Sequence, residues 1–209
     1  MRLILASTSP RRKEILELLG LPFEVVAPDF EERVSPRTPI EKEVVGFALG
    51  KARSVAIANP RSLIIGSDTM ILLDSAKIGK PRDAADARRM LLSLAGRRHE
   101  IFTSVVILDE AGARPLATIE KVSVQMQPYG EGEIDRYLAR GESLDKAGGY
   151  SIQGEGRKLI TAIEGDYLAA VGLPLKPIAN YLAARGIQLP RDTDRLYETR
   201  DYLNWRSFA

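Results

Sequence analysis

The sequence predicts an α/β protein with a mixed sheet, arranged as two lobes around a central cleft. Three observations carry this. Short apolar runs alternate with amphipathic stretches along most of the 209 residues. Two long β-type segments, 98–108 and 115–127, flank "DEAGAR", whose single glycine marks a hairpin. And 44% of the residues are apolar, enough at this length to bury a real core.

The elements follow in order. "RLILA" (2–6) is a continuous apolar run that reads as a buried strand. Ser9-Pro10 then supplies a capping hydroxyl and a proline at the first helical position, for a helix that Gly20 stops. "FEVV" (23–26) is a second strand, and Thr38-Pro39-Ile40-Glu41 combines a capping box with proline at N1 for a helix reaching about Asn59. "SLIIGSDTMILL" (62–73) has two apolar runs broken by Gly66-Ser67-Asp68-Thr69, the pattern of a buried strand ending at a polar turn. A helix over 83–96 begins at the cap Asp83 and stops at Gly96; another covers 130–140. "GGYSIQGEG" reads as a glycine-rich loop around a brief strand, "LITAIEG" as a strand and "LPLKPIANYLAARG" as a last helix. Residues 187–209 alternate charges with aromatics without a clear period, and read as a mobile tail or a strip for a neighbouring subunit.

Composition narrows the chemistry. There is no cysteine, which excludes disulfides, thiolate nucleophiles and Cys-ligated metals, and the single His99 excludes a multi-histidine metal site. His99 itself reads as a strand residue. Catalysis must rest on carboxylates, lysines, arginines and hydroxyls, either alone or with a hard, oxygen-liganded metal. No run approaches the roughly 18 apolar residues of a membrane helix, so the chain reads as cytoplasmic. A net charge of +2 and no array of stacking aromatics argue against a nucleic-acid coat.

Four stretches could carry function. "STSPRR" (7–12) joins a strand to a helix N-terminus, where free N–H groups, hydroxyls and two arginines make either an anion site or a plain capped helix. Lys51 and Lys80 are either exposed cations or phosphate contacts, and Glu31-Glu32 is either a solvated pair or a source of oxygen ligands for Mg²⁺ or Mn²⁺. Asp68 sits where open α/β sheets gather ligands. The loop at 148–156 fails as a phosphate-binding Walker loop, because Glu155 stands where the lysine belongs; the Gln153 amide can instead meet the edge of a base.

Taken together, "LILASTSPRRKEIL", "FEVVAPDFEE", "KARS", "IIGSDTM", "GKPRDAADARRMLLSLAGRRH", "DKAGGYSIQG" and "GDYLAAVGLPL" resemble the Maf family of nucleotide pyrophosphatases, in the family's order. The resemblance covers residues 2 to about 186, one catalytic domain over 1–186, and leaves 187–209 outside it. It implies a two-lobed fold similar to the inosine-triphosphate pyrophosphatases, a nucleoside triphosphate substrate, a divalent Mg²⁺ or Mn²⁺, a homodimer, and hydrolysis between the α- and β-phosphates. Carried onto this chain, Ser7, Arg11 and Arg12 become phosphate contacts and Glu32 a metal-side carboxylate. Lys51 and Lys80 become cations around the triphosphate, and Asp68 the general base or a metal ligand. Arg11, Thr69 and Gln153 match the branch selective for dTTP and UTP, whereas Gly149 and Ala169 depart from its usual residues. The alternatives are a pyrophosphatase for modified or noncanonical nucleotides and a non-catalytic nucleotide-binding regulator of division.

Overall fold

The computed structural model describes residues 2–109 and 115–208, so most of the expected "DEAGAR" turn lies outside the described residues. In chain order the elements are β1 (Arg2–Ala6), α1 (Pro10–Glu17), β2 (Glu24–Val26), α2 (Ile40–Ala56), β3 (Ser62–Leu73), β4 (Ala76–Ile78) and α3 (Ala84–Leu94). They continue as β5 (Arg98–Leu108), β6 (Leu116–Met126), α4 (Glu131–Leu138), β7 (Ile160–Glu164), α5 (Tyr167–Val171), α6 (Leu175–Ala184) and α7 (Thr193–Thr199). The strands make one seven-stranded sheet in the order β2-β1-β3-β5-β6-β7, with β4 on the far end of β3. β1 is parallel to β2 and β3, and the remaining pairs are antiparallel. This is the mixed α/β sheet that the sequence predicts.

Strand periodicity explains how the helices cover the sheet. Side chains alternate between faces. Ile4, Ala6 and Ile64 pack with Ala52 and Val55 of α2. Leu3, Leu5, Leu63 and Ile65 point the other way, into the large cluster that includes Ile15, Leu16 and Leu19 of the α1 segment, Leu168 of α5, and Ile178 and Leu182 of α6. The inward stripe of α2 is Ile40, Glu43, Val44, Phe47, Ala48, Lys51, Ala52 and Val55, at helical spacing. It therefore carries two charged residues toward the sheet.

β1 pairs with β3 from Arg2↔Ser62 to Ala6↔Gly66 and then stops, while β3 continues beside β5 through Ser67↔Val105, Asp68↔Ser104 and Thr69↔Thr103. Between Gly66, where β1 stops, and Ile71, where β4 takes up the pairing, the β1 side of β3 is thus uncovered. This corrects the sequence expectation: Gly66–Thr69 is not a turn but the middle of a twelve-residue strand. Its polar residues are tolerated because partners reach them: Ser67 Oγ donates to Gly172 O, Asp68 accepts from Lys51 Nζ and Thr69 Oγ1 accepts from Arg12 Nη2.

Gly66 is required by packing. A Cβ there would fall far inside van der Waals contact distance of the Ala48 carbonyl oxygen and against Ala52, both on α2. Gly66→Ala is therefore expected to push α2 off the sheet at a cost of about 3 kcal/mol, as overpacking against backbone cannot relax through a rotamer. The denaturant midpoint should fall without a change in slope, which chemical denaturation reads directly.

Several further expectations are corrected. Helix α2 begins at Ile40, one residue later than a Thr38 box requires, so Pro39 is its N-cap and no side-chain cap forms; Ser9 likewise makes no capping bond. No strand forms in "GGYSIQGEG"; this segment is irregular between two short 3-10 turns, and Tyr137 Oη accepts from the Ser151 N–H instead. Short α5 and β4 were not anticipated from periodicity, since both are too brief to show one. The 187–208 segment is not an irregular tail: it forms α7 and a 3-10 turn at Trp205–Phe208 that pack on its own chain. No helix among the described residues is long and apolar enough to cross a membrane.

Candidate active site

The uncovered stretch of β3 is the floor of a cleft with about 890 Å³ of open space, lined from β3, α1, α2, the loop before α2 and the 145–153 loop. Arg11, Arg12, Lys51, Lys80 and Lys146 line it against Glu32, Asp68 and Asp145, an excess of positive charge suited to a polyanion. Apolar surface from Val34, Phe47, Met70, Ile71, Ile101, Ile152 and Val171 completes the walls. A charged end beside an apolar one fits a phosphorylated ligand with a flat ring.

The centre is a buried charge cluster. Lys51 projects from the inward stripe of α2, and its Nζ donates to Asp68 Oδ1 at 2.6 Å and lies 2.5 Å from Glu32 Oε1. Asp68 is 3% exposed. Burial pushes its carboxyl pKa up, and Lys51 and Arg12 offset this only in part. Burial also pushes Glu32 upward, but Lys51, with help from Lys80 and Arg12, outweighs it and holds Glu32 below the ordinary glutamate value. The two carboxylates facing one ammonium are therefore driven apart, one toward proton acceptance and one toward permanent charge.

Arg12 approaches from the other face of β3. Its Nε donates to Gly172 O at 2.9 Å and its Nη2 to Thr69 Oγ1 at 3.3 Å. Burial lowers its pKa against the attraction of Asp68 and Glu32, yet a guanidinium stays charged in a protein. Thr103 Oγ1 lies 3.1 Å from Thr69 Oγ1 and donates to Ala169 O at 2.8 Å, so Thr69 is fixed by neighbours on both sides. Arg11 donates to Asp145 Oδ2 at 2.8 Å and to the Asp145 carbonyl at 3.3 Å. Burial would raise the Asp145 pKa, but hydrogen bonds from Lys146 and Arg11 bring it down to about 2.

Of the residues singled out from sequence, Arg11, Arg12, Glu32, Lys51, Asp68, Thr69, Lys80 and Gln153 line one cleft. Ser7 does not: it is buried, its Oγ accepts from the Ser9 N–H at 3.1 Å, and it shapes the turn that puts Ser9 into the cleft. His99 is buried in β5, with Nε2 2.7 Å from Tyr150 Oη, and burial lowers its pKa to about 4, so it is neutral and structural.

Two features escaped the sequence reading. Asp145 and Lys146 supply a further charge pair, visible beforehand only as the first letters of "DKAGGY". The second is Glu43, whose Oε1 accepts from the Ser35 N–H while Oε2 meets Lys77. Lys77 also donates to the carbonyls of Ser35 and Thr38. This buried pair anchors the loop that carries Glu32. Its signal was a charged residue on the apolar stripe of α2, which needs a partner to be buried.

Comparison with known proteins places the chain in a family. A protein of Dictyoglomus thermophilum named dTTP/UTP pyrophosphatase is 42% identical over 189 residues, covering 90% of this chain and 97% of that protein. One of the same name from Anaeromyxobacter dehalogenans is 44% identical over 191 residues, covering 90% and 96%. Among solved structures, the Staphylococcus aureus Ham1 protein aligns with a TM-score of 0.42 at 16% identity, over 63% of this chain and 76% of that one. The family described as Maf-like protein matches residues 2–185. The chain belongs to the Maf family.

Proposed function

We propose that this protein is a nucleoside triphosphate pyrophosphatase that hydrolyses dTTP and UTP between the α- and β-phosphates. Its family membership and the names of its relatives support the activity. The observation that carries the chemistry is Asp68, a nearly buried carboxylate with a raised pKa, held by Lys51 in a cleft of excess positive charge.

In this reading Asp68 orients a water and takes its proton as the water oxygen bonds to the α-phosphorus. The bond from that phosphorus to the bridging oxygen breaks, and pyrophosphate leaves with the electron pair. Arg12, Lys51, Lys80 and Lys146 offset the charge that grows on it, and the free N–H groups at the start of α1 add to this field. In this reading Arg11, Thr69 and Gln153, which line the cleft, distinguish the bases, Arg11 being steered by Asp145.

The residues also fit a divalent cation. No cluster of three or more metal-type ligands exists among the described residues, but Mg²⁺ typically takes one or two carboxylates and fills the rest of its shell with phosphate oxygens and water. Glu32 and Asp68, both reaching Lys51 Nζ, are the carboxylates that would hold it. When bound, such an ion neutralises phosphate charge and polarises the phosphoryl group. A cytoplasmic homodimer belongs to the same reading.

Pyrophosphate release measured on dTTP, UTP, CTP, 7-methylguanosine triphosphate and ITP, with the metal varied, tests the proposal. The expected result is dTTP and UTP ahead of CTP by about a hundredfold or more in kcat/KM, since a site built to hydrogen-bond one base edge leaves its polar groups unpaired on another. Preference for either purine substrate would move the enzyme to the modified-nucleotide class, and no release from any of them would make it a binding protein.

A further inference from the structure

The segment after residue 186 lies outside the family match, yet it reaches the base-reading loop. Ring stacking and tyrosine hydrogen bonds hold it down. Trp205, 7% exposed, stacks on Tyr167 at 5.4 Å between ring centroids and 13° between planes, and it meets the Tyr197 ring edge-on at 5.1 Å. Tyr167 Oη donates to Leu203 O at 2.6 Å, and Tyr197 Oη to Asp166 Oδ2 at 2.8 Å. The strap so anchored presents two polar side chains to Gln153. Gln153 Nε2 donates to Tyr202 Oη at 2.8 Å, and Asn204 Nδ2 donates to the Gln153 carbonyl at 2.6 Å.

The direction of the first bond is decided by a third group. Tyr202 Oη lies 3.4 Å from Glu14 Oε2, on α1. A carboxylate only accepts, so the phenol proton points to Glu14 and the phenol oxygen is left to accept from Gln153. The Gln153 carboxamide is therefore held with its NH₂ toward Tyr202, and cannot exchange its oxygen and nitrogen ends without breaking this chain.

Amide polarity matters to pyrimidine recognition. Uracil and thymine present an O4 acceptor beside an N3–H donor, whereas cytosine presents an N4–H donor beside an N3 acceptor. A carboxamide free to turn offers donor and acceptor in either order and suits both edges; one pinned by its nitrogen offers a single order. We infer that the C-terminal strap is a specificity element, in which Tyr202 fixes the Gln153 side-chain amide and Asn204 holds the Gln153 main chain that carries it, two positioning residues that together make the cleft discriminate uracil and thymine from cytosine. This rests on Gln153 facing the base, as proposed above.

The test compares kcat/KM for UTP and CTP in the full-length protein and in Gln153→Ala, Tyr202→Phe and the double variant. Tyr202→Phe keeps the ring and removes the hydroxyl that holds the amide. It is expected to lower the UTP-to-CTP ratio about tenfold, as the loss of one orienting hydrogen bond would, with most of the change in KM and no change in melting temperature. Gln153→Ala should lower the ratio further, and adding Tyr202→Phe to it should do nothing more. Asn204→Gly, which suits the left-handed backbone at φ +62°, should act in the same direction and serves if Tyr202→Phe does not fold. A parental ratio in both strap variants, with the ratio lost in Gln153→Ala, would leave Gln153 as base reader and reduce the strap to packing. A parental ratio in Gln153→Ala would instead remove Gln153 from base reading, and the strap proposal with it. An equal drop on adding Tyr202→Phe to Gln153→Ala would also overturn it, since the effect would then bypass the amide.

Discussion

Asp68→Asn is expected to lower kcat for dTTP by about 10²–10⁴-fold, the usual worth of a positioned general base, with KM changed far less. Asparagine keeps the shape of the side chain and can still accept from Lys51, while Lys51 retains Glu32 as a charged partner. What it cannot do is take a proton. A variant that turns over at the parental rate would remove Asp68 from both of its proposed roles. Measuring the rate against metal concentration separates them: a rise in the metal needed for half-activity, together with the fall in kcat, marks a ligand, and a fall in kcat alone marks the base.

The pH profile sharpens this prediction. Burial raises the Asp68 pKa, and the residue acts only as the carboxylate. As pH falls through that raised value the side chain takes up a proton and the rate drops. The acid limb of kcat/KM should therefore lie above the ordinary aspartate range and be absent from the residual activity of Asp68→Asn. An acid limb at an unshifted carboxylate value would point to another group, with Glu32 excluded as its source because its pKa is lowered.

The sequence showed much of this site and misjudged some of the fold around it, for a single physical reason in each case. Local composition marks strands and caps well where solvent and core differ sharply, as at "RLILA" or at Asp83, whose side chain accepts from the Asp86 N–H as expected. It misread Gly66–Thr69 as a turn because polar residues inside a strand are indistinguishable from a loop until their partners are known, and those partners come from α2 and β5, far along the chain. The same long-range pairing hid the Glu43–Lys77 anchor. For the tail the obstacle was different. Its aromatics have no period, being spaced to meet Tyr167, Gln153 and Asp166 rather than to line one face of a helix. Residues 187–208 thus became legible only once their contacts were in view.

Lys51→Met is expected to damage both stability and activity, and the order in which they recover distinguishes a structural cation from a working one. Lys51 has a side chain only 9% exposed and holds two carboxylates at once. Removing it leaves Asp68 and Glu32 facing each other with like charge in a site that solvent barely reaches on the Asp68 side. Breaking a buried ion pair from one end typically costs 3–5 kcal/mol. The Glu32 side chain is 39% exposed, so water screens part of this and a loss of about 2–3 kcal/mol is expected, read as a lower denaturant midpoint. Two close carboxylates also cannot both ionise readily, so one retains a proton to higher pH. Since burial already favours the protonated form of Asp68, the acid limb should move to higher pH, and raising the pH should restore part of the rate. Adding Glu32→Gln removes the repulsion without restoring the cation. Stability should then return in part, since Asp68 still lacks its buried partner, whereas turnover should stay low, because neither the ammonium that steadies the departing pyrophosphate nor the Glu32 carboxylate is present. Full recovery of turnover in that double variant would show that Lys51 serves only to keep two acids apart.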